Sequence, residues 1–251
     1  ARLDGVPFQR EPAVALVRGD GCRFLIADGV GLGKTVQAGL MIAEVFQRQG
    51  DARAIVICPA GLREQWRDEL HTRFGVNAEI LDAGGVARAT ATLPVGLNPW
   101  SASPLVITSI DYVKRPEVMR CLETLLWDIV VLDEAHGVAG RSDRAVAATA
   151  LASRARFLVM LTATPHSGDT DAFRRLCSLG RHGAEEPLLL FSRARATAGM
   201  SRSRRTVLLR VRPTPGERAM HGALQEYARL VWRPSSAVGA AGARLAVSVL
   251  T

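Results

Sequence analysis

The stretch RFLIADGVGLGKT, residues 23–35, decides the fold of this chain. Its apolar first half predicts a buried strand, and its second half ends in Gly33, Lys34 and Thr35, where a helix begins. The usual phosphate-loop pattern G-x-x-x-x-G-K-[ST] fails at its first position, because Asp28 replaces the glycine. The glycines before a helix N-terminus still favour anion binding. A plain glycine turn between strand and helix is the alternative.

Five apolar runs recur along the chain, with helical patterns between them. They are RFLIAD (residues 23–28), AIVICP (54–59), PLVITS (104–109), DIVVLDE (128–134) and RFLVMLTAT (156–164). Runs that are apolar on both faces suit parallel strands covered by helices. The order predicts an α/β fold, with a mainly parallel sheet and helices on both faces. We expect two of the helices to end at Gly50 and Gly75.

Composition limits the class of protein. With 251 residues, 48% of them hydrophobic, the chain is long enough for one sizeable core plus an appendage, so a wholly disordered chain is excluded. The net charge of +8 favours a polyanionic partner, although arginine-rich usage can also reflect a GC-rich genome. Four widely spaced cysteines predict reduced thiols, and no apolar run is long enough to span a bilayer. We therefore expect a cytoplasmic protein without a membrane partner.

A pair of acidic residues ends another apolar strand, in VVLDEAH, where Asp133 and Glu134 stand side by side. Such a pair alone is more often a helix cap. Together with the glycine loop it predicts a nucleotide and Mg²⁺ site, because ligands of open α/β sheets lie at the carboxyl ends of the strands.

The segments DGVGLGKT, VICPAGLREQW, VITSIDYV, VVLDEAH and LVMLTATPHSGD resemble motifs I, Ia, Ib, II and III of superfamily-two helicases. In detail they are similar to the Swi/Snf-type DNA translocases, in the bacterial branch with the polymerase-associated remodeller and phage-defence ATPases. The resemblance is strong from Val6 to about Asp169 and weak to Tyr227. Gly29 replaces the family's usual glutamate at a position that is not a ligand. The family's loop also commonly starts with aspartate.

The resemblance implies a P-loop NTPase lobe of RecA-like fold, which we assign to residues 1–183. Residues 184–251 would be a basic, helical or irregular connector towards a second lobe that carries arginine fingers. No motif of that second lobe follows Asp169, and the chain starts without methionine. We therefore expect a piece of a longer protein, with little or no hydrolysis of its own. Residues 83–104, rich in small residues and proline, are expected to form a long surface excursion.

The resemblance also implies roles for individual residues. The nucleotide ATP would be bound by Gln9, Asp28, Gly31, Leu32, Gly33, Lys34, Thr35 and His136. The catalytic residues would be Lys34, Asp133 and Glu134, with Glu134 as the base. Mg²⁺ would be held by Thr35 and Asp133. Thr162, Ala163 and Thr164 would couple hydrolysis to motion between lobes.

Contacts to DNA are expected from small residues and hydroxyl groups at strand ends, which can donate hydrogen bonds to backbone phosphates. They are Pro59, Ala60 and Gly61 in motif Ia, and Thr108 and Ser109 in motif Ib. A basic run adds Arg202, Arg204 and Arg205, within a set that also includes Arg193, Arg195, Arg210 and Arg212. A solvated connector is an equal alternative for this run. We expect Trp66 to be a core residue.

The function that this resemblance implies is that of the N-terminal motor lobe of an ATP-dependent translocase on double-stranded DNA. A protein partner such as a polymerase or a defence complex, and a location in the bacterial cytoplasm at the nucleoid, would follow. Two alternatives stay open: a strand-separating DNA or RNA helicase of the same superfamily, and a nucleotide- or DNA-binding module that does not hydrolyse ATP.

Overall fold

The computed structural model describes residues 6–163, 169–183, 186–194 and 212–231. The chain divides into two compact units, residues 1–201 and residues 202–251. The first unit contains the β-sheet. In the described part of the second unit there is one helix.

The first unit alternates strands and helices in the order that the sequence predicts. The strands are Arg23–Ile26 (β1), Ala54–Ile57 (β2), Glu79–Ile80 (β3), Leu105–Thr108 (β4), Trp127–Leu132 (β5), Ala155–Leu161 (β6) and Leu188–Phe191 (β7). The α-helices are Glu11–Arg18 (α1), Lys34–Arg48 (α2), Arg63–Phe74 (α3), Ala83–Thr92 (α4), Ile110–Val113 (α5), Pro116–Leu122 (α6), Asp143–Ala152 (α7) and Thr170–Ser178 (α8). Short 3-10 helices span Pro7–Arg10, Ala60–Leu62, Pro99–Ser101 and Ala135–Val138.

All seven strands form one sheet in the order β3-β4-β2-β5-β6-β1-β7, and every pairing is parallel. The five predicted strands are therefore confirmed. The two strands that were not predicted, β3 and β7, lie at the edges and have few fully buried residues. β3 is only two residues long and includes the exposed Glu79, so it has no apolar run to recognise. β7, by contrast, is the apolar run LLLF and satisfies the same criterion as the five predicted strands.

Two separate apolar clusters cover the two faces of the sheet. Phe24 and Ile26 in β1 point into one cluster, which includes residues of α1, α2 and α3, whereas Leu25 between them points into the other. That second cluster includes residues of α6, α7 and α8. Alternate side chains of one strand thus enter opposite cores, as expected for a sheet with helices on both faces.

The helix ends agree only in part with the prediction from glycines. Gly75 follows α3 in the left-handed conformation, with φ of 68°. Its N–H bonds back to the last turn, so this predicted cap is confirmed. The prediction of a cap at Gly50 is wrong, because α2 ends at Arg48 and Gln49 is already extended, with φ of −137°.

Residues 83–104 are more ordered than a surface excursion. The segment opens with α4, whose first turn is capped by the Asp82 carboxylate accepting from Gly85 N at 2.9 Å. It ends near the 3-10 helix Pro99–Ser101, where Trp100 is 1% exposed and packs in the core. The segment is therefore a surface connection between β3 and β4, as expected, but it contains a helix and is anchored in the core by Trp100. Its alanine and threonine content concealed a helix whose only strong sequence signal is its cap.

The end of the first unit lies beyond residue 183. Strand β7 pairs with β1 over its full length, from Arg23–Leu188 to Ile26–Phe191. The sheet therefore continues past the boundary that the sequence suggested.

In the second unit, helix α9 spans Pro215–Val231. Thr214 and Glu217 cap its start reciprocally, because Thr214 N donates to Glu217 Oε2 at 2.7 Å and Glu217 N donates to Thr214 Oγ1 at 3.3 Å. Within the described residues, no helix has the length and apolar content to cross a membrane.

Candidate functional site

The predicted motifs meet at one edge of the sheet because the strands end in register. Ile57 pairs with both Thr108 and Leu132, and Ile26 pairs with both Leu161 and Phe191. The residues that follow these strand ends therefore lie along the same edge. In sheet order they are Ser109, Cys58, Asp133, Thr162, Ala27 and Ser192. The glycine loop after β1 and the acidic pair after β5 are separated by the end of β6.

The loop between β1 and α2 has the backbone that an anion-binding turn needs. Gly31 and Gly33 both adopt positive φ, 82° and 81°, which side-chain-bearing residues rarely adopt. Gly33 is the N-cap of the 15-residue helix α2, and Lys34 and Thr35 are its first residues. Backbone N–H groups that have no partner within the helix, and the positive end of the helix dipole, therefore lie at this loop.

Side chains around the loop hold its shape. The Nζ atom of Lys34 donates to the Asp28 carbonyl oxygen at 3.0 Å. Gln9 donates through Nε2 to the Leu32 carbonyl oxygen at 3.1 Å. A Cβ atom built at Gly33 would lie 2.5 Å from this same Nε2 atom, so a side chain at position 33 would displace the Gln9 amide. The predicted nucleotide residues at the loop are thus brought together.

The Asp28 carboxylate does not project into the loop as a ligand, since it is fully buried and already paired. Gln37 donates to its Oδ2 atom at 2.8 Å, and Arg193 approaches both of its oxygens, at 3.3 and 3.2 Å. Asp28 therefore contributes its backbone carbonyl and a structural ion pair. The predicted contact of Asp28 with nucleotide stays a prediction, and in this arrangement it would involve the backbone because the carboxylate is buried and paired.

The Asp133 carboxylate is held by two donors at the end of β5. Trp66 Nε1 donates to Oδ2 at 2.9 Å, and Glu134 N donates to Oδ1 at 2.9 Å. Burial raises the pKa of Asp133, and the Trp66 hydrogen bond opposes that rise. Trp66 is indeed a core residue, 2% exposed, but its contact with Asp133 was not predicted. The sequence carries no signal for a bond across 67 positions.

Glu134 has an unusual backbone conformation next to this carboxylate. Its φ of 50° is the only positive value among the described residues other than glycine. Such a conformation is disfavoured for a residue with a Cβ atom and is often retained at functional sites. The Glu134 Oε2 atom lies 3.2 Å from Nδ1 of His136, and both side chains are partly exposed. The predicted base and His136 are thus in contact.

The end of β6 supplies the third predicted element. Thr162 is fully buried, and its N–H donates to the Ile26 carbonyl at 3.1 Å, so it is joined to the strand that precedes the loop. Ala163 follows it at the same edge. Thr164 lies outside the described residues.

The predicted DNA contacts differ in accessibility. Pro59, Ala60 and Gly61 are all exposed at the end of β2. Thr108 is fully buried, and its hydroxyl donates to the Leu81 carbonyl at 2.7 Å.

Ser109 is 6% exposed. Both motif Ib residues are therefore buried, and the Thr108 hydroxyl is not available to a phosphate in this arrangement because it already bonds to the Leu81 carbonyl. Arg202, Arg204 and Arg205 fall outside the described residues.

The prediction that Arg193 belongs to a solvated or DNA-binding basic run is wrong. Its side chain is 17% exposed and bonds to Asp28 and Glu11. Its guanidinium lies 5.3 Å from the ring centre of Phe8 and 5.6 Å from that of Phe191. Sequence position alone could not separate this arginine from its neighbours in the run.

A cavity of about 330 Å³ lies between the acidic pair and the end of β2. Its lining includes Cys58, Pro59, Ala60, Asp111, Asp133, Glu134, His136 and Arg144. Burial raises the pKa of the Cys58 thiol to about 12. At the rim, Lys114 and Arg144 bond to the Asp111 carboxylate at 2.9 and 2.7 Å and lower its pKa. The cavity joins the Asp133 end of the site to the exposed backbone at Pro59 and Ala60.

The residues at this edge fit a magnesium nucleotide. Thr35 and Asp133 offer hard oxygen ligands of the kind that Mg²⁺ prefers. Among the described residues no group of three or more histidine, cysteine, aspartate or glutamate side chains could hold a metal ion by itself. A magnesium ion at this edge would therefore rely on phosphate oxygens and water for its other ligands, which is its usual coordination with nucleotides.

Comparison with known proteins identifies the family. A model of the SNF2-related domain matches residues 13–193, which is more than half of the chain. The chain belongs to the SNF2-related family. The predicted Swi/Snf-type resemblance is therefore confirmed. The SNF2-related match includes the glycine loop, Asp133, Glu134 and strand β7.

One curated SNF2-related relative is the RNA polymerase-associated protein RapA of Cronobacter sakazakii. It is 34% identical to this chain over 183 residues. The match covers 70% of this chain and 18% of RapA, so the chain spans less than a fifth of that relative's length.

Two solved structures share the fold. The Sulfolobus solfataricus SWI2/SNF2 ATPase core in complex with dsDNA matches with a TM-score of 0.61 and 16% identity, over 97% of this chain and 56% of that chain. The Pyrococcus furiosus Hef helicase domain matches with a TM-score of 0.59 and 16% identity, over 89% of this chain and 46% of that chain. At this identity the likeness concerns the fold alone, and it confirms the predicted RecA-like lobe.

Proposed function

We propose that this chain is the ATP-binding lobe of a Swi/Snf-type motor that moves along double-stranded DNA. The observation that carries the proposal is the alignment of the glycine loop after β1 with Asp133 and Glu134 after β5, along one edge of a parallel sheet. Membership of the SNF2-related family supports it. We assign the lobe to residues 1–183 as the sequence suggested, extended to include β7, and the remaining residues to a connector.

In this proposal the loop binds the phosphates of ATP. Gly31 and Gly33 leave backbone N–H groups free to face an anion, and Lys34 supplies a positive charge at the start of α2. Lys34 Nζ would exchange its bond to the Asp28 carbonyl for phosphate oxygens. Gln9 would contact adenine from its position against the loop.

The acidic pair would serve the hydrolytic step. Thr35 and Asp133 would hold Mg²⁺, which supplies charge neutralisation for the phosphate oxygens when it is bound. Glu134 would accept a proton from the attacking water and orient it, while His136 holds the Glu134 side chain through the 3.2 Å contact. Thr162, Ala163 and Thr164, between the two halves of the site, would transmit the change to a second lobe that completes catalysis.

The DNA contacts in this proposal are backbone contacts without sequence preference. The exposed backbone of Pro59, Ala60 and Gly61 would meet one strand, with Ser109 beside it. Arg202, Arg204 and Arg205 would add charge contacts to the phosphates. The SWI2/SNF2 core of similar fold was solved with dsDNA, which favours a duplex partner.

We also propose a protein partner, on the basis of the curated relative. The relative from Cronobacter sakazakii is named for its association with RNA polymerase, so a polymerase is the partner to test first, and a defence complex is the alternative. Such a protein would act in the bacterial cytoplasm, at the nucleoid.

The proposal is tested by measuring ATP hydrolysis by the longer protein that contains this chain, with and without duplex DNA. We expect stimulation by duplex, no displacement of a paired strand, and loss of turnover but not of ATP binding in Glu134→Gln. Strand displacement would instead identify a helicase of the same superfamily. Absence of hydrolysis with any nucleic acid would leave a binding module and refute the motor.

A further inference from the structure

Arg193 joins three parts of the first unit at the glycine loop. One guanidinium nitrogen approaches both Asp28 carboxylate oxygens, and the other bonds to Glu11 in α1. The guanidinium also lies over the rings of Phe8, in the first 3-10 helix, and Phe191, at the end of β7. With 17% of its side chain exposed, Arg193 has the contacts of a structural clamp.

The Asp28 carboxylate needs this partner. It is fully buried, and its other described donor is the neutral amide of Gln37 at 2.8 Å. A buried carboxylate is costly unless it is both hydrogen-bonded and paired with a positive charge. Among the described residues, Arg193 is the cation that forms a salt bridge with Asp28.

The backbone ties the same two residues together. Ala27 N donates to the Phe191 carbonyl at 2.7 Å, and Gly29 N donates to the Arg193 carbonyl at 2.9 Å. The parallel pairing of β1 with β7 therefore continues on both sides of Asp28. The Asp28 carbonyl in turn accepts the Lys34 Nζ bond at 3.0 Å. A shift of Asp28 would consequently displace the start of the glycine loop, together with the carbonyl that Lys34 contacts before it turns to a phosphate.

We propose that Arg193 is a positioning residue for the glycine loop, because it fixes Asp28 and through Asp28 sets where Lys34 and the loop backbone lie. This inference rests on the proposed function, since it matters to activity only if the loop binds nucleotide phosphates. The same role implies that movement of the chain after β7 would shift the proposed nucleotide site, because Arg193 follows β7 and contacts Asp28. Arg193 is also the last residue of the family match.

The test is a double-mutant cycle read by nucleotide affinity, in the 251-residue chain, with a fluorescent ATP analogue and MgCl₂. We expect Arg193→Gln and Asp28→Asn each to raise Kd by about tenfold, as for loss of a charge-assisted hydrogen bond. The Kd of the double variant should be no higher than that of the single variant with the higher Kd. The reason is that both substituted side chains are uncharged, so no buried charge is left without a partner.

The matched control is Arg23→Gln. Arg23 is 2% exposed at the opposite end of β1, where it donates to the Leu179 and Cys177 carbonyls. Its loss should lower the melting temperature without changing Kd, at a temperature where all variants are folded. If Arg193→Gln does not fold, Arg193→Lys is measured as a single variant, and we expect its Kd to rise because it keeps the charge but loses the planar geometry that bonds Asp28 and Glu11 at once.

The inference is overturned if the Arg193 variant changes Kd by less than about threefold, if the two single effects multiply, or if Arg23→Gln changes Kd equally. Lys34→Ala separates this from failure of the proposed function. If Lys34→Ala binds the analogue as tightly as the unsubstituted chain, the phosphate-binding role of the loop itself is wrong. If Lys34→Ala loses binding while Arg193→Gln keeps it, only the positioning role is wrong.

Discussion

Replacing Trp66 with phenylalanine tests whether the core of the lobe orients Asp133, the proposed ligand of Mg²⁺. The substitution removes the indole N–H that donates to Asp133 Oδ2 at 2.9 Å, and leaves an aromatic ring in the apolar cluster. A hydrogen bond to a charged group contributes about 1.5–3 kcal/mol. The Asp133 carboxylate would retain the Glu134 N–H as its described donor.

Trp127→Phe is the matched control for the loss of ring size. Trp127 is 1% exposed, and its Nε1 atom has no hydrogen-bond partner within the described structure. The two substitutions therefore delete the same atoms from buried sites, but only Trp66→Phe removes a hydrogen bond. We expect the free energy of unfolding at pH 7 to fall by about 1.5–3 kcal/mol more in Trp66→Phe than in Trp127→Phe.

The functional part of this prediction concerns Mg²⁺. Residues that hold a metal ligand from behind typically change metal affinity by about 10–100-fold when they are replaced. We expect Trp66→Phe to raise the Mg²⁺ concentration needed for half-maximal nucleotide binding by that factor. Since the Trp66 hydrogen bond lowers the pKa of Asp133, its loss should also move the acid limb of binding to higher pH. Equal unfolding losses in the two tryptophan variants, with unchanged Mg²⁺ dependence, would refute the reasoning.

Three further predictions follow from burial. Burial raises the Asp133 pKa above its ordinary value of 3.8, so the folded chain favours the protonated carboxyl. The stability that the protonated carboxyl contributes is complete below pH 3.8 and is lost as pH rises through the folded pKa. Asp133→Asn should therefore raise the melting temperature at pH 7, and this gain should shrink in acid. In calorimetry, Gly39→Ala should lower the free energy of unfolding by up to about 2 kcal/mol, because its Cβ would lie 2.3 Å from the Phe74 ring and the overpacking penalty of about 1–3 kcal/mol is offset by a helix-propensity gain of about 1 kcal/mol. Cys58, with a pKa of about 12, should react with a thiol reagent at pH 8 only after unfolding, and rapid labelling in the folded chain would contradict its burial.

The family match ends at residue 193, which is also where the Arg193 clamp lies. Variants of Asp133 or Trp66 test the proposed nucleotide site beside β5. Arg193 variants test the same proposed site beside β1 and β7. Strand β6 separates these two groups of variants. Their effects on the free energy of nucleotide binding should therefore add.

The amino-acid sequence by itself determined the five central strands, their parallel arrangement and the position of the glycine loop. Strands that are apolar on both faces can be recognised without knowledge of their neighbours, and the loop is a contiguous pattern. The same holds for the acidic pair at Asp133 and Glu134. Local signals were insufficient for α4 within residues 83–104 and for the end of α2, where the last helical residue is Arg48 and the cap is Gln49 rather than Gly50.

Only the tertiary structure decided which side chains serve these motifs from a distance. Trp66 reaches Asp133 across 67 positions, and Arg193 reaches Asp28 across 165. Thr108, which a local pattern assigned to DNA, is instead bonded within the core. The physical reason is that charge compensation and hydrogen bonding depend on which groups the parallel sheet brings to one edge, and pairings between distant segments leave no periodic or contiguous trace in the sequence.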